Sequence, residues 1–191
     1  MTRMQLISHP ATPMLQVDSL DVVLSPDSEG GLLLRFDCRC RAGALRLPQA
    51  RPSGAADELW RHTCCELFAG VAGDAAYTEF NWSPSGEWAM YPFSDYRRRD
   101  SSAPAKAAPA PHVEFACDGE GWMLDARLAA AALPAAASGQ IELGLAAVLE
   151  AADGSLSYWA LRHAAAQPDF HLLEAFVLRL GELSAEVGQR A

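Results

Sequence analysis

The sequence lacks a hydrophobic run long enough to cross a bilayer. Its longest apolar stretch, 128–137, is alanine-rich, is interrupted by Pro134, and falls well short of the roughly 20 residues a spanning helix needs. It also lacks the basic start and apolar core of a secretory signal, because residues 1–20 mix Gln5, Ser8, His9, Pro10, Pro13 and Asp18. The expectation is a cytoplasmic protein with no membrane partner. Basic charge is scarce as well: 15 Lys and Arg against 24 Asp and Glu leave a net charge of -9. Such a field repels phosphates and excludes nucleic acid as the expected partner. The one basic cluster, Arg97-Arg98-Arg99, is bracketed by Asp95 and Asp100 and reads as a solvated loop run. Its one functional reading is as a carboxylate or phosphate contact.

Paired cysteines are missing too. Five cysteines cannot all pair, and Cys38, Cys40, Cys64, Cys65 and Cys117 match neither C-x-x-C nor a zinc spacing, so they read as reduced thiols with no metal site. Nor does the chain contain G-x-G-x-x-G, G-x-x-x-x-G-K-[ST], H-E-x-x-H or G-x-S-x-G. Every enzyme reading is weaker for it.

What is present is period-two alternation in short segments separated by Gly, Pro, Asp and Ser. From Leu32 to Cys40 the even positions are apolar while Arg35, Asp37 and Arg39 fill odd ones, the pattern of a half-buried strand. Similar segments at 17–24, 59–68, 76–82, 88–93, 113–117, 122–128, 141–149, 156–163 and 176–180 predict about ten strands. An all-β fold follows, an antiparallel two-sheet β-sandwich with one short helical segment at 129–137, limited by Pro134. With 191 residues, half of them hydrophobic, the chain reads as a single domain over 1–191 with its core at about 17–180. The Ser-Ala-Pro stretch 101–111 predicts a flexible loop, and the tail after Gly181 is polar enough to fray.

Candidate function concentrates in two stretches. In the first, alternation puts Trp60, His62, Cys64 and Glu66 on one strand face, and Tyr77, Glu79 and Asn81 on one face of the next, with Trp82 and Trp88 nearby. An aromatic plane flanked by carboxylate and amide groups suits sugar recognition: C–H faces stack on rings and hydroxyls need acceptors and donors. The same residues also suit a packed interior in which Glu66, Glu79 and Asn81 bond one another. In the second stretch His163 shares a face with Trp159, while Asp169 and His171 fall in a Pro-containing turn. There they either cap backbone groups or, for the histidines, ligate haem iron or a metal, with Asp169 orienting an imidazole.

Four segments together resemble the bacterial DOMON-like domain proteins, a group similar to the family nine carbohydrate-binding modules. They are Leu59-Trp60-x-His62-Thr63-Cys64-x-Glu66, Glu79-Phe80-Asn81-x-Ser83-Pro84-Ser85-Gly86-x-Trp88, and Ser157-Tyr158-Trp159-Ala160-Leu161-x-His163 with Pro168-Asp169-Phe170-His171. The likeness spans about Val17 to Leu180. Trp82 and Cys65 depart from it by standing where Phe-like residues are expected. The resemblance implies a β-sandwich whose relatives bind sugars or haem. The leading expectation is a non-catalytic domain without cofactor, holding a small carbohydrate-like ligand with Trp60, His62, Glu66, Glu79, Asn81, Trp82, Trp88, Trp159 and His163. One alternative is haem binding through His62, His163 or His171 with Met90 or Met123. The other is an enzyme using Glu66 and Glu79 as acid and base, assisted by His62.

Overall fold

The protein is described here by a computed structural model covering residues 1–101, 110–135 and 140–181. The expected loop at 101–111 therefore lies almost wholly outside the described residues, as do the end of the 129–137 helix and the tail after Gly181.

Among the described residues thirteen strands follow one another as β1 (Thr2–Ser8), β2 (Val17–Pro26), β3 (Leu32–Cys40), β4 (Gly54–Ala55), β5 (Cys64–Val71), β6 (Tyr77–Trp82), β7 (Glu87–Asp95), β8 (Arg98–Arg99), β9 (His112–Asp118), β10 (Gly121–Leu128), β11 (Ile141–Glu150), β12 (Leu156–Ala160) and β13 (Leu178–Arg179). The fold is all-β, with no helix of seven or more residues among those described. Nor is any described helix long and apolar enough to cross a membrane. The expected helix at 129–137 is a single 3-10 turn, Ala130–Ala132, as the nearby Pro134 dictates.

Hydrogen bonding runs in one continuous order, β4-β7-β6-β5-β11-β12-β1-β2-β3-β10-β9, with β13 on β11 and β8 on β7. The two-sheet sandwich expected from alternation is thus one curled sheet, a half-barrel. The join is β1, whose polar alternation escaped the sequence reading: its residues Thr2 to Leu6 pair with β2, while Ile7 and Ser8 pair with β12. The sheet is also mixed rather than purely antiparallel, because β4 runs parallel to β7.

Curling lets one apolar core collect side chains from both ends of the order. Leu20, Val22, Leu34, Phe36 and Leu124 come from β2, β3 and β10, and Leu67, Phe80, Leu145 and Trp159 from β5, β6, β11 and β12. Cys38 lies among them, and burial pushes its thiol well above the ordinary range, as befits an inert core residue. β3 and β10 approach so closely at Gly121 that a Cβ there would overlap the Cys38 carbonyl oxygen.

Candidate functional site: a carboxylate-floored pocket on the far face

β5, β6 and β11 are buried along most of their length on both faces, and β12 beside β11 is buried on its core face and half-buried on the other, so each contributes twice. Cys65, Leu67, Phe80, Trp82, Ala147 and Trp159 point into the core. Residues of opposite parity, Glu66, Glu79, Val148 and Tyr158, point the other way and floor a pocket of about 690 Å³, a volume typical of small-molecule sites. Its walls are Trp60, Phe93, Arg97 and Arg99 on one side and the 167–171 segment after β12 on the other.

Register brings the two carboxyls together. Glu66 stands opposite Asn81 on β6 and opposite the small Ala146 on β11, while Glu79 stands opposite Phe68. They are therefore diagonal cross-strand neighbours on one face, within reach of each other's long side chains. Asn81 Nδ2 donates to Glu79 Oε1 at 2.6 Å, and Asn81 Oδ1 accepts from the Cys64 thiol. Glu66 is only 3% exposed and its Oε1 has no hydrogen-bond partner among the described residues. The other buried polar atoms in that condition are the indole nitrogens of Trp82, Trp122 and Trp159, and His163 Nδ1; none of these residues lines the pocket.

Burial and the neighbouring Glu79 charge push the Glu66 carboxyl well above the usual carboxylate range. Burial raises Glu79 as well, but the Asn81 hydrogen bond and the Arg99 and Arg97 charges oppose the shift. Glu66 is accordingly the proton holder and Glu79 the better-supported anion.

The facing segment is tied down by polar contacts. Tyr96 donates to Asp169 Oδ2 at 2.6 Å, the Arg97 guanidinium donates to Asp169 Oδ1 at 3.0 Å, and the His171 amide donates to the same oxygen. Burial and the Arg97 charge lower the His171 imidazole to about 4, so it is neutral at pH 7. The Tyr77 hydroxyl, 2.8 Å from His171 Nδ1, accepts from the Arg97 amide. On the other side of the ring, His171 Nε2 lies 3.8 Å from Glu79 Oε2. Arg97 itself has φ 52 in the two-residue turn between β7 and β8, a left-handed conformation that costs a non-glycine residue about 1–2 kcal/mol. Arg99 follows two residues on, its guanidinium 3.8 Å over the Tyr91 ring and 5.2 Å over that of Trp60.

Of the residues expected from sequence, Trp60, Glu66 and Glu79 line this pocket, and Asn81 supports it through Glu79. Trp82 and Trp159 are buried in the core and Trp88 packs against it, the opposite parity having carried them through the sheet. His62 is not on the Glu66 face. The expected strand at 59–68 begins only at Cys64, because Leu59–Arg61 form a 3-10 turn that resets the alternation. His62 Nδ1 instead contacts Glu150 Oε2 at 2.7 Å. His163 lies beyond the end of β12, its Nε2 donating to the Ile7 carbonyl and its ring against His9.

The haem candidates His62, His163 and His171 are therefore spread over three environments, and of them only His171 lines the pocket. Met90 packs on the core and Met123 lies against β9, and neither lines the pocket. No group of three or more His, Cys, Asp or Glu suited to a metal occurs among the described residues. Sequence reasoning missed Phe93, Val148, Tyr158, Gln167 and Phe170 as lining residues, and no signal pointed to them. Arg97 and Arg99 were read with Arg98 as a solvated run or a carboxylate or phosphate contact, and they do line the pocket.

No protein-family model and no curated protein sequence matches the chain. Among solved structures it is similar to a crystal structure of a "putative carbohydrate-binding protein" from Bacteroides uniformis, with a TM-score of 0.66 and 14% identity over 91% of this chain and 83% of that one. At that identity the likeness establishes a shared all-β architecture.

Proposed function

We propose that the chain is a non-catalytic binding domain whose pocket takes a small carbohydrate-like ligand. The half-barrel is, on this reading, a strongly curled relative of the DOMON-like and carbohydrate-binding-module sandwiches. The observation that carries the reading is Glu66 Oε1, a buried and unpartnered carboxyl oxygen among pocket-lining residues. An unsatisfied buried polar group costs stability, on the order of 1–3 kcal/mol, and a ligand hydroxyl would relieve that cost. A protonated Glu66 both donates to and accepts from a hydroxyl, and Glu79, steadied by Asn81, accepts from a second. Trp60 and Tyr158 provide ring surface for the C–H face of a sugar. The Bacteroides uniformis structure, whose description names carbohydrate binding, supports the same ligand class.

The test is a calorimetric and thermal-shift panel of neutral and acidic mono- and disaccharides at millimolar concentration. At least one sugar binds, Glu66→Gln retains binding because an amide also donates and accepts, and Glu66→Leu weakens it about tenfold or more. A panel with no binder, or a Glu66→Leu variant that binds as the parent does, overturns the reading.

A further inference from the structure

We infer that the ligand carries an acid group, a carboxylate or phosphate on its sugar-like body, which Arg97 and Arg99 grip while its hydroxyls reach Glu66 and Glu79. This rests on the carbohydrate reading above and narrows it.

The three arginines of the basic cluster do not share one direction. Arg98 turns away from the pocket, its guanidinium donating to Ser94 Oγ, whereas Arg97 and Arg99, two residues apart, both line the pocket. In a chain with net charge -9, two guanidinium groups brought to one pocket are a local departure from the global field. A neutral sugar asks for hydrogen-bond acceptors and donors but not for a pair of cations.

Each arginine is held in place with donor capacity to spare. Arg97 sits in a left-handed turn position, its backbone amide is anchored on the Tyr77 hydroxyl, and Asp169 engages one guanidinium nitrogen. Backbone strain of this kind persists where surrounding contacts over-determine it, and it gathers at binding sites. Arg99 lies on the faces of Tyr91 and Trp60. Stacking occupies the plane of the guanidinium and leaves its N–H edge for an in-plane oxyanion. Its ion pair with Asp57 is long, at 3.7 Å, and the same Asp57 oxygen already accepts from Tyr91 and from the Glu58 amide. The guanidinium side chains of Arg97 and Arg99 remain about half exposed, at 51% and 45%, so an incoming anion can reach them. The carboxyl groups divide the other way, Glu66 and Glu79 being buried. The pocket therefore has an acceptor floor and a cationic mouth.

The experiment compares glucose, glucuronate and glucose 6-phosphate by calorimetry at pH 7.5 and low salt, on the full chain and on Arg99→Gln, with thermal midpoints as the folding control. One or both acidic sugars bind at least tenfold more tightly than glucose, and the arm that gains more identifies carboxylate or phosphate as the preferred group. In Arg99→Gln that preference, read as the ratio of acidic-sugar to glucose affinity, collapses, and in the parent it shrinks as salt rises. Glucose binding as tightly as both acids, or a preference that survives Arg99→Gln and salt unchanged, overturns the inference and leaves the carbohydrate reading intact. Binding of none of the three, together with none in the wider panel, overturns the carbohydrate reading itself.

Discussion

The two faces of β5 and β6 are built by the same strands on different principles. On the core face Cys65, Leu67, Phe80 and Trp82 are apolar, fully buried and packed against side chains from the opposite half of the curl. On the pocket face, one residue along, Glu66 and Glu79 are also nearly fully buried, yet their ionised forms are penalised there and one oxygen has no partner among the described residues. Burial is equal and its consequence opposite. The core face gains stability from removal of apolar area from water, whereas the pocket face gives some of it up. A site that keeps desolvated polar groups ready for a ligand accepts that loss.

The contrast breaks most sharply at Trp82. Replacing it with alanine removes the largest fully buried side chain of the core face and is expected to lower the unfolding free energy by about 3–5 kcal/mol, read from the denaturant midpoint. Glu66→Leu, one residue from the core-facing Cys65 and equally enclosed, is expected to leave that midpoint unchanged or raise it, because it replaces an uncompensated carboxyl by an apolar group. Equal losses in the two variants would mean that Glu66 is a structural member of the interior, which would remove the physical basis of the pocket reading.

Why the sequence told the two faces apart only in part can be argued from these residues. Alternation does not care what a side chain is, so it placed Glu66 with Trp60 and Glu79 with Asn81 while leaving the role of each face open. Applied strictly, the same parity would have separated Trp82 from Asn81 and Trp159 from Tyr158, since neighbours in a strand cannot line one pocket. Aromatic character outweighed position, and three tryptophans were expected at the ligand site although the sheet turns them toward the core. His62 was misplaced for another reason. Glu58, Trp60 and Arg61 carry no local signal strong enough to announce a 3-10 turn, whose tertiary setting fixes Glu58 in a left-handed conformation at φ 59. The pairing of β1 with two partners is long-range and leaves no trace in local pattern. Arg97 and Arg99 line one pocket with the 167–171 segment, which Arg97 reaches through Asp169, a long-range meeting that no window of sequence contains.

The pH dependence of stability sharpens the comparison at intermediate magnitude. Glu66 binds its proton more tightly in the folded protein than the unfolded chain does, so its contribution is fully present below about pH 4.3. It is lost as pH rises from there through the raised folded value. His171 works in the other direction. Its folded value is lowered to about 4, so its contribution is present above about pH 6.5 and is lost as pH falls from there toward 4. The two slopes oppose each other across roughly pH 4.5 to 6.5 and partly cancel in the parent chain. Glu66→Gln shrinks the first, leaving that of the likewise raised Glu79, and tilts stability toward a rise with pH over that window relative to the parent, while His171→Gln removes the second and tilts it toward a fall. Urea midpoints measured from pH 4.5 to 7.5 separate them, and identical pH profiles for the two variants would mean that neither group titrates as its surroundings dictate.

The smallest effect tests the break in alternation itself. Trp60 and His62 were expected to share a face, but the 3-10 turn sends Trp60 to the pocket and His62 to Glu150, a buried carboxylate that Arg46 also contacts, at 3.2 Å. His62 is exposed, and Glu150 keeps its arginine partner when the imidazole is removed, so His62→Ala is expected to cost no more than about 0.5–1 kcal/mol and to leave sugar affinity untouched. Trp60→Ala reverses the pattern: half-buried against Tyr91 and Arg99, it changes stability modestly and weakens ligand binding severalfold. Calorimetry on the pair, with thermal midpoints alongside, reads both quantities. Were His62→Ala to weaken binding as much as Trp60→Ala, the two side chains would have to serve one site, and the turn at Leu59–Arg61 would not separate them as described.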